Sequence, residues 1–395
     1  MRVYLLCFIL SLSGCLGTVE GNPIPEDRLY YPSVLLQNQN TLYVVNTNLD
    51  LQYKTGSISQ IDLTTGKIGQ VTLVPSLPGQ ALANANFSTL FTTSQHTNSL
   101  QNAIAGTGLS LRYNAPYFLA LYADQTSGLV GYLTLPTNEP WDLNRFSLVA
   151  NQPDLQYFTT DPTAGIQIKQ SFQIASCFPA PARSYRRVAR LGGIKVQGSN
   201  TYILTELIID DPVDNTKFSK RVFLIRTPSS LIPQGKLCSD QTAVLDITQT
   251  EKAQAARGLV ISNDEKIAYA LLDEGPLLVK IGLDADKTKI AVTERIATCK
   301  RPETLKLSGD GNTLAVACPK VNELTTYNAL DLNLFGKYTA VGNTGGPLDI
   351  LFDQTNVKQI FVSYQQDNKI GIFKYENSSA GNRSLDFVQW LQLSR

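Results

Sequence analysis

The amino-acid sequence predicts an all-β fold: a single β-propeller of seven blades, each of four antiparallel strands, with eight blades as the alternative. Three observations carry this. Leu259, Leu305 and Leu351 stand 46 residues apart, and the same step links Asp264, Asp310 and Asn356, then Tyr269, Ala315 and Phe361, then Leu278, Leu324 and Ile370, then Ile281, Tyr327 and Phe373. Within each copy, short runs rich in β-branched and aromatic residues flank tight-turn sequences such as Asp310-Gly311-Asn312, which is the pattern of hairpins. The composition agrees: of 395 residues 43% are hydrophobic and only 17% charged, with 27 Gly and 19 Pro to punctuate turns. A chain of this kind buries a large core, and three or four short strands repeated every ~45 residues are the sequence form of a propeller blade.

The chain opens with an address. Arg2 supplies a positive end and Val3 to Leu12 an apolar run that is too short for a bilayer, which takes roughly 20 residues. Residues 1–14 are therefore expected to be a signal peptide. Leu12-Ser13-Gly14-Cys15 resembles the lipobox of bacterial lipoproteins, which implies that Cys15 carries the lipid and anchors the chain in the cell envelope. In that family an Asp after the lipidated Cys favours the inner membrane; the residue here is Leu16, so the resemblance implies the outer membrane. Residues 15–27, with Gly17, Gly21, Pro23 and Pro25 and no apolar period, are expected to be a tether.

Residues 28–395 are then the propeller. Equivalent second-strand positions fall at Leu42, Phe118, Gln156, Tyr202, Ala268, Leu314 and Ile360, which gives seven blades. The two long steps predict insertions near residues 77–107 and 210–254. Closure of the ring would leave no bare sheet edge if Tyr30 to Leu36 joined the sheet of Leu385 to Leu391.

Leu307-Ser308-Gly309-Asp310-Gly311-Asn312-Thr313-Leu314-Ala315-Val316-Ala317 resembles the YVTN-type propeller repeat, a Ser-Pro-Asp-Gly turn leading into a Tyr-Val strand. Thr41-Leu42-Tyr43-Val44-Val45-Asn46 and Ile58 to Lys67, with its Thr-Gly-Lys turn, are similar to it as well. Gly309 replaces the usual Pro and Glu265 the turn Gly, and residues 77–254 depart from the pattern. The resemblance implies fold more than function.

Without Cys7 and Cys15, four cysteines remain: Cys177, Cys238, Cys299 and Cys318. In an oxidising compartment they allow two disulfides in three connectivities. Cys177 with Cys238 and Cys299 with Cys318 is the preferred pairing, the second closing a loop across one hairpin. No CxxC spacing supports zinc, and no cofactor is expected.

Other candidate sites are few. Arg183, Arg186, Arg187 and Arg190 place four guanidinium groups within eight residues and could receive an anionic ligand or an acidic partner. The alternative is a solvated strand or loop edge. Asp264, Asp310 and the Asn38-Gln39-Asn40 segment recur at one position, where carboxylates could ring a cation but turn chemistry accounts for them. Asp210, Asp211 and Asp214 do not form an EF-hand. His96, the one histidine, has no Gly-x-Ser-x-Gly turn or acid beside it in sequence. A formal charge of +1 gives no footprint for nucleic acid.

The sequence thus points to an envelope propeller acting as a binding or scaffold module for a protein or glycan partner, with loops carried on a rigid frame. The alternative is a propeller hydrolase or lactonase, which by resemblance to such enzymes would gather acids and histidine, often around calcium.

Overall fold

The structure, a computed structural model, describes residues 25, 27–38, 40–46, 57–73, 85–86, 103–110, 114–124, 128–134, 155–161, 165–172, 174–178, 185–210, 218–248, 255–273, 275–284, 289–340, 345–356, 358–377 and 383–393. Strands dominate it, and there is almost no helix. The described strands form six antiparallel sheets, each a meander.

The first sheet holds β1 (Pro32–Asn38), β2 (Thr41–Asn46), β3 (Ser57–Asp62) and β4 (Ile68–Leu73). The second has six strands: β5 (Ala85–Asn86), β6 (Ala103–Ser110), β7 (Asn114–Asp124), β8 (Gly128–Thr134), β9 (Leu155–Asp161) and β10 (Gly165–Phe172). The third is β11 (Tyr185–Gln197), β12 (Asn200–Asp210), β13 (Phe218–Pro228) and β14 (Ala243–Asp246). The fourth is β15 (Ala255–Ile261), β16 (Ile267–Asp273), β17 (Leu277–Leu283) and β18 (Ile290–Ala297). The fifth is β19 (Thr304–Leu307), β20 (Thr313–Cys318), β21 (Glu323–Asn328) and β22 (Leu334–Thr339). The sixth is β23 (Pro347–Phe352), β24 (Gln359–Tyr364), β25 (Lys369–Asn377) and β26 (Arg383–Trp390).

The first strands of five of these sheets lie side by side. β11 packs on β15, β15 on β19, β19 on β23, and β23 on β1, a propeller-like arc. The second strands β12, β16, β20 and β24 are buried on both faces because each serves two interfaces. Ala268, Ala270 and Leu272 of β16 pack with Tyr202, Leu204 and Leu224 of the third sheet. Tyr269 and Leu271, pointing the other way, pack with Leu305, Leu314 and Val316 of the fifth. Strand alternation thus builds small cores between sheets. The outer strand β18 faces water with every second residue, its burial alternating between half-buried and exposed.

Five of the seven predicted second-strand positions, Leu42, Tyr202, Ala268, Leu314 and Ile360, do sit in the second strand of a sheet. Phe118 and Gln156 do not belong to separate blades. They lie on β7 and β9, and β8 pairs with both, through Leu119 to Leu133 on one side and Tyr132 to Tyr157 on the other. The seven positions therefore map to six sheets among the described residues. The expected joint sheet of Tyr30 to Leu36 with Leu385 to Leu391 is also not what forms. β1 opens its own sheet by pairing with β2, while β26 is the outer strand of the sixth. The first and last sheets meet instead through side chains: the Leu35 N–H donates to Asp349 Oδ2 at 2.9 Å and Gln37 Nε2 to Asp353 Oδ1 at 2.8 Å.

The repeated turn residues do the work the sequence assigns them. Asp310 accepts from Ser308 Oγ and from the Asn312 N–H at 3.1 Å, and Asp264 accepts from Ser262 Oγ at 2.7 Å and the Lys266 N–H at 3.2 Å. The hydrogen bond from Ser262 chiefly holds the Asp264 carboxyl below its ordinary pKa. Gly311 takes φ +75°, the left-handed region that glycine reaches without strain. One period earlier Glu265 is held at φ 55°, and its carboxylate accepts from Asn200 Nδ2 at 3.3 Å, tying that turn to the third sheet.

Both disulfides of the preferred pairing are present. Cys177 joins Cys238 with Cα atoms 5.1 Å apart, and Cys299 joins Cys318 at 6.2 Å, across the β19–β20 hairpin. Residues 218–248, within the stretch expected to be an insertion, supply β13 and β14 of the third sheet. Its extra length goes into strands of 11 to 13 residues and into the loop that Cys238 fastens. The 1–14 signal, Cys15, His96, Arg183, Asp211 and Asp214 lie outside the described residues, as does most of 77–107. No helix of the described residues is long and apolar enough to cross a membrane.

Candidate functional site

The first strands carry charge where the rest of the arc is apolar. Arg257 on β15, Glu303 just before β19 and Asp349 on β23 occupy one column of the 46-residue register. β15 and β23 each break register beside this column, between Ala256 and Gly258 and between Pro347 and Ile350. Bulges of this kind re-aim a side chain off the regular pleat.

Two networks result. Arg257 Nη2 meets Asp273 Oδ2, at the end of β16, at 2.7 Å, and Nη1 meets Glu303 Oε2 at 2.8 Å. One guanidinium thus clamps the fourth sheet to the fifth, using the fork geometry that suits arginine to carboxylates. Lys306 Nζ on β19 stands 3.3 Å from Asp349 Oδ1, while Asp349 Oδ2 takes the Leu35 N–H and the Asp349 N–H donates to Ser363 Oγ at 2.9 Å. Asp349 is only 6% exposed. A carboxylate so buried needs this full set of partners.

Lys195 on β11 completes the group. The Lys306 ammonium and the Asp349 carboxylate act on its amine electrostatically. Burial of the amine, and then the Lys306 ammonium, pull the Lys195 pKa down from 10.5 to about 7; the Asp349 carboxylate pulls the other way. An amine with a pKa of about 7 carries its lone pair in about half of the molecules at neutral pH. It can act there as a base or a nucleophile.

The carboxylates do not make a cation site. Both Asp349 oxygens are engaged, Asp273 and Glu303 share Arg257, and no three of His, Cys, Asp and Glu gather among the described residues as a metal would need. Calcium, which the resemblance to propeller enzymes suggested, does not fit this donor set.

Of the arginines singled out in the sequence, Arg186, Arg187 and Arg190 lie on β11, the first strand of the third sheet, where Arg187 pairs in register with Ile208 and Arg190 with Glu206. They share a strand with Lys195 and are not a loop edge. The roles of Lys195, Arg257, Glu303, Lys306 and Asp349 were not foreseen. The signal for three of them was present: Arg257, Glu303 and Asp349 form a charged column two residues ahead of the Leu259, Leu305 and Leu351 column. Lys195 lies in the sheet whose longer spacing breaks the 46-residue register, so no column points to it.

A scan of protein-family models and a search of curated sequences find no match for this chain. Solved structures similar to it include a Kluyveromyces lactis Hsv2 variant, with loop 6CD replaced by a Gly-Ser linker. It has a TM-score of 0.50 and 9% identity over 92% of this chain and 98% of that one. The periplasmic gluconolactonase of Pseudomonas aeruginosa matches with a TM-score of 0.46 and 15% identity, over 92% and 85% of the two chains. A putative 6-phosphogluconolactonase from Bacteroides uniformis matches with a TM-score of 0.45 and 12% identity, over 90% and 83%. At these identities the likeness concerns the fold. The expectation of a binding or scaffold module is corrected to this extent: proteins named as lactonases, the alternative reading of the sequence, stand among the similar structures.

Proposed function

We propose that this protein is a hydrolase of esters or lactones, acting where the first strands converge. The observation that carries the proposal is the Lys306–Asp349 ion pair between β19 and β23, two groups that also act electrostatically on the buried amine of Lys195 on β11. Lys195, with a pKa of about 7, is the general base. It takes a proton from the attacking water, the acyl carbon–oxygen bond breaks, and the proton passes to the departing alkoxide. Lys306, held by Asp349, supplies fixed positive charge toward the carbonyl oxygen as that oxygen becomes negative. Arg257, clamped by Asp273 and Glu303, keeps the neighbouring strands in place. With Lys195 neutral the cluster holds two cations, Arg257 and Lys306, against the carboxylates of Asp273, Glu303 and Asp349. That balance favours an uncharged substrate such as an aldonolactone.

We also propose that the sheets close into a propeller and that Cys15 tethers it by lipid to the bacterial envelope. Both disulfides suit that oxidising compartment.

The test is hydrolysis of an uncharged aldonolactone followed in a pH-stat. Wild-type protein is expected to exceed the spontaneous rate, and Lys195→Met to lose about a hundredfold in kcat/KM. No rate above the spontaneous one, or full activity in the variant, overturns the proposal.

A further inference from the structure

We propose that the end of the molecule at which the N-terminal segment joins the body is a docking surface for an anionic phospholipid membrane. The inference concerns exposed charge on that end and does not depend on hydrolysis.

A run of contacts assembles the surface. Residues 298–303 lead from the outer strand β18 to the first strand β19, and two bonds pin them to the end of β20: the Cys299–Cys318 disulfide, and the hydrogen bond of 2.9 Å from the Glu303 N–H to the Ala317 carbonyl. Between the pins Pro302 is buried and Arg301 takes φ 53°, a left-handed conformation that a residue with a side chain keeps only where its surroundings hold it. Lys300 and Arg301 are thus held exposed beside Lys320, which follows Cys318 by two residues. The next connection carries the surface to the sixth sheet. A Cβ at Gly346 would stand 2.0 Å from the Pro319 carbonyl oxygen, and the Gly345 N–H donates to Asp367 Oδ1 at 3.1 Å in the turn Gln365–Asp367. Asn368, the residue after that turn, accepts from the Tyr31 N–H, and Leu29 packs in the core that holds Ile370. The chain ahead of residue 27, with Cys15, therefore meets the body at this end.

Charge on the surface is one-sided. Arg28, Lys300, Arg301, Lys320 and Lys369 are exposed here, against one exposed acid of this segment and the fifth and sixth sheets' described turns, Asp27. The remaining acids are drawn inward: Glu303 to Arg257, Glu323 to Lys337, and Asp367 to the Gly345 N–H. The exposed cations spread over two sheets and the N-terminal segment, which suits a broad field of headgroups better than a single small anion. The position of the N-terminal segment brings the same end toward whatever the chain's N-terminus is fixed to.

The test is co-sedimentation of the full chain with vesicles of phosphatidylcholine alone and of phosphatidylcholine mixed with phosphatidylglycerol. The wild type is expected to prefer the anionic vesicles. Lys300→Gln with Arg301→Gln and Lys320→Gln should cut partition into them by about a hundredfold, since each cation at an anionic surface contributes a factor of about five. Salt at about 1 M, where the screening length is about 3 Å, should erase the preference. Lys266→Gln with Lys289→Gln and Lys358→Gln removes the same charge from exposed turns at the opposite end and should leave the preference intact. All six side chains are exposed, so both variants keep the core. Equal binding to the two kinds of vesicle, or equal losses in the two variants, overturns the inference. Binding to the neutral vesicles reads a lipid at Cys15 by itself, so failure of that anchor is told apart from failure of this surface.

Discussion

Lys195 binds its proton far less tightly in the folded protein than in the unfolded chain, with a pKa of about 7 against 10.5. Below pH 7 the folded state carries the full cost of a protonated, buried amine. Between pH 7 and 10.5 the unfolded state holds more protons, so stability contributed at this site rises with pH; above 10.5 the cost is gone. Lys195→Met keeps most of the stem and removes the charge. It should therefore raise the melting temperature at pH 6 and change it little at pH 10.5, and an equal shift at both pH values would contradict the assignment. None of this is legible from the residue itself. A lysine in Ile194-Lys195-Val196 looks like any strand lysine, and it is burial in the folded chain, and then the Lys306 ammonium more than a hundred positions away, that lower its pKa. The turn aspartates are the opposite case: Asp264 and Asp310 are satisfied within two residues of themselves, so sequence alone assigned their role.

Strands show the same division between local and distant causes. The β19–β20 hairpin, with its Asp-Gly-Asn turn and the Cys299–Cys318 closure, was readable because its determinants lie within 20 residues. The assignment of β7 and β9 to one sheet was not, because it depends on β8 pairing with both. The final strand makes a further test. β26 lays Phe387 against Phe373 at 5.3 Å and against Tyr338 at 5.7 Å, and Trp390 against Tyr364 at 5.1 Å, closing the core between the fifth and sixth sheets. Deleting residues 383–395 uncovers that core and should cost at least about 3 kcal/mol, the loss expected for one buried aromatic. Denaturant unfolding measures it; an unchanged midpoint would mean that β26 is dispensable.

Over the whole molecule, the 46-residue period did two jobs, and only one was read from it. The apolar columns such as Leu259, Leu305 and Leu351 set the interfaces between sheets. The adjacent column of Arg257, Glu303 and Asp349 places charge on the first strands, and the third sheet, which breaks the period, contributes the lysine those charges act on. The scarcity of histidine, one in 395 residues, had weighed against catalysis. It carries less weight once a lysine is brought to neutral pKa by its surroundings. The most direct test of that claim is an NMR titration of the Lys195 side chain in the intact protein. A midpoint near pH 7 that rises in Lys306→Met is the expected result, and a midpoint near the ordinary value of 10.5 would contradict the account.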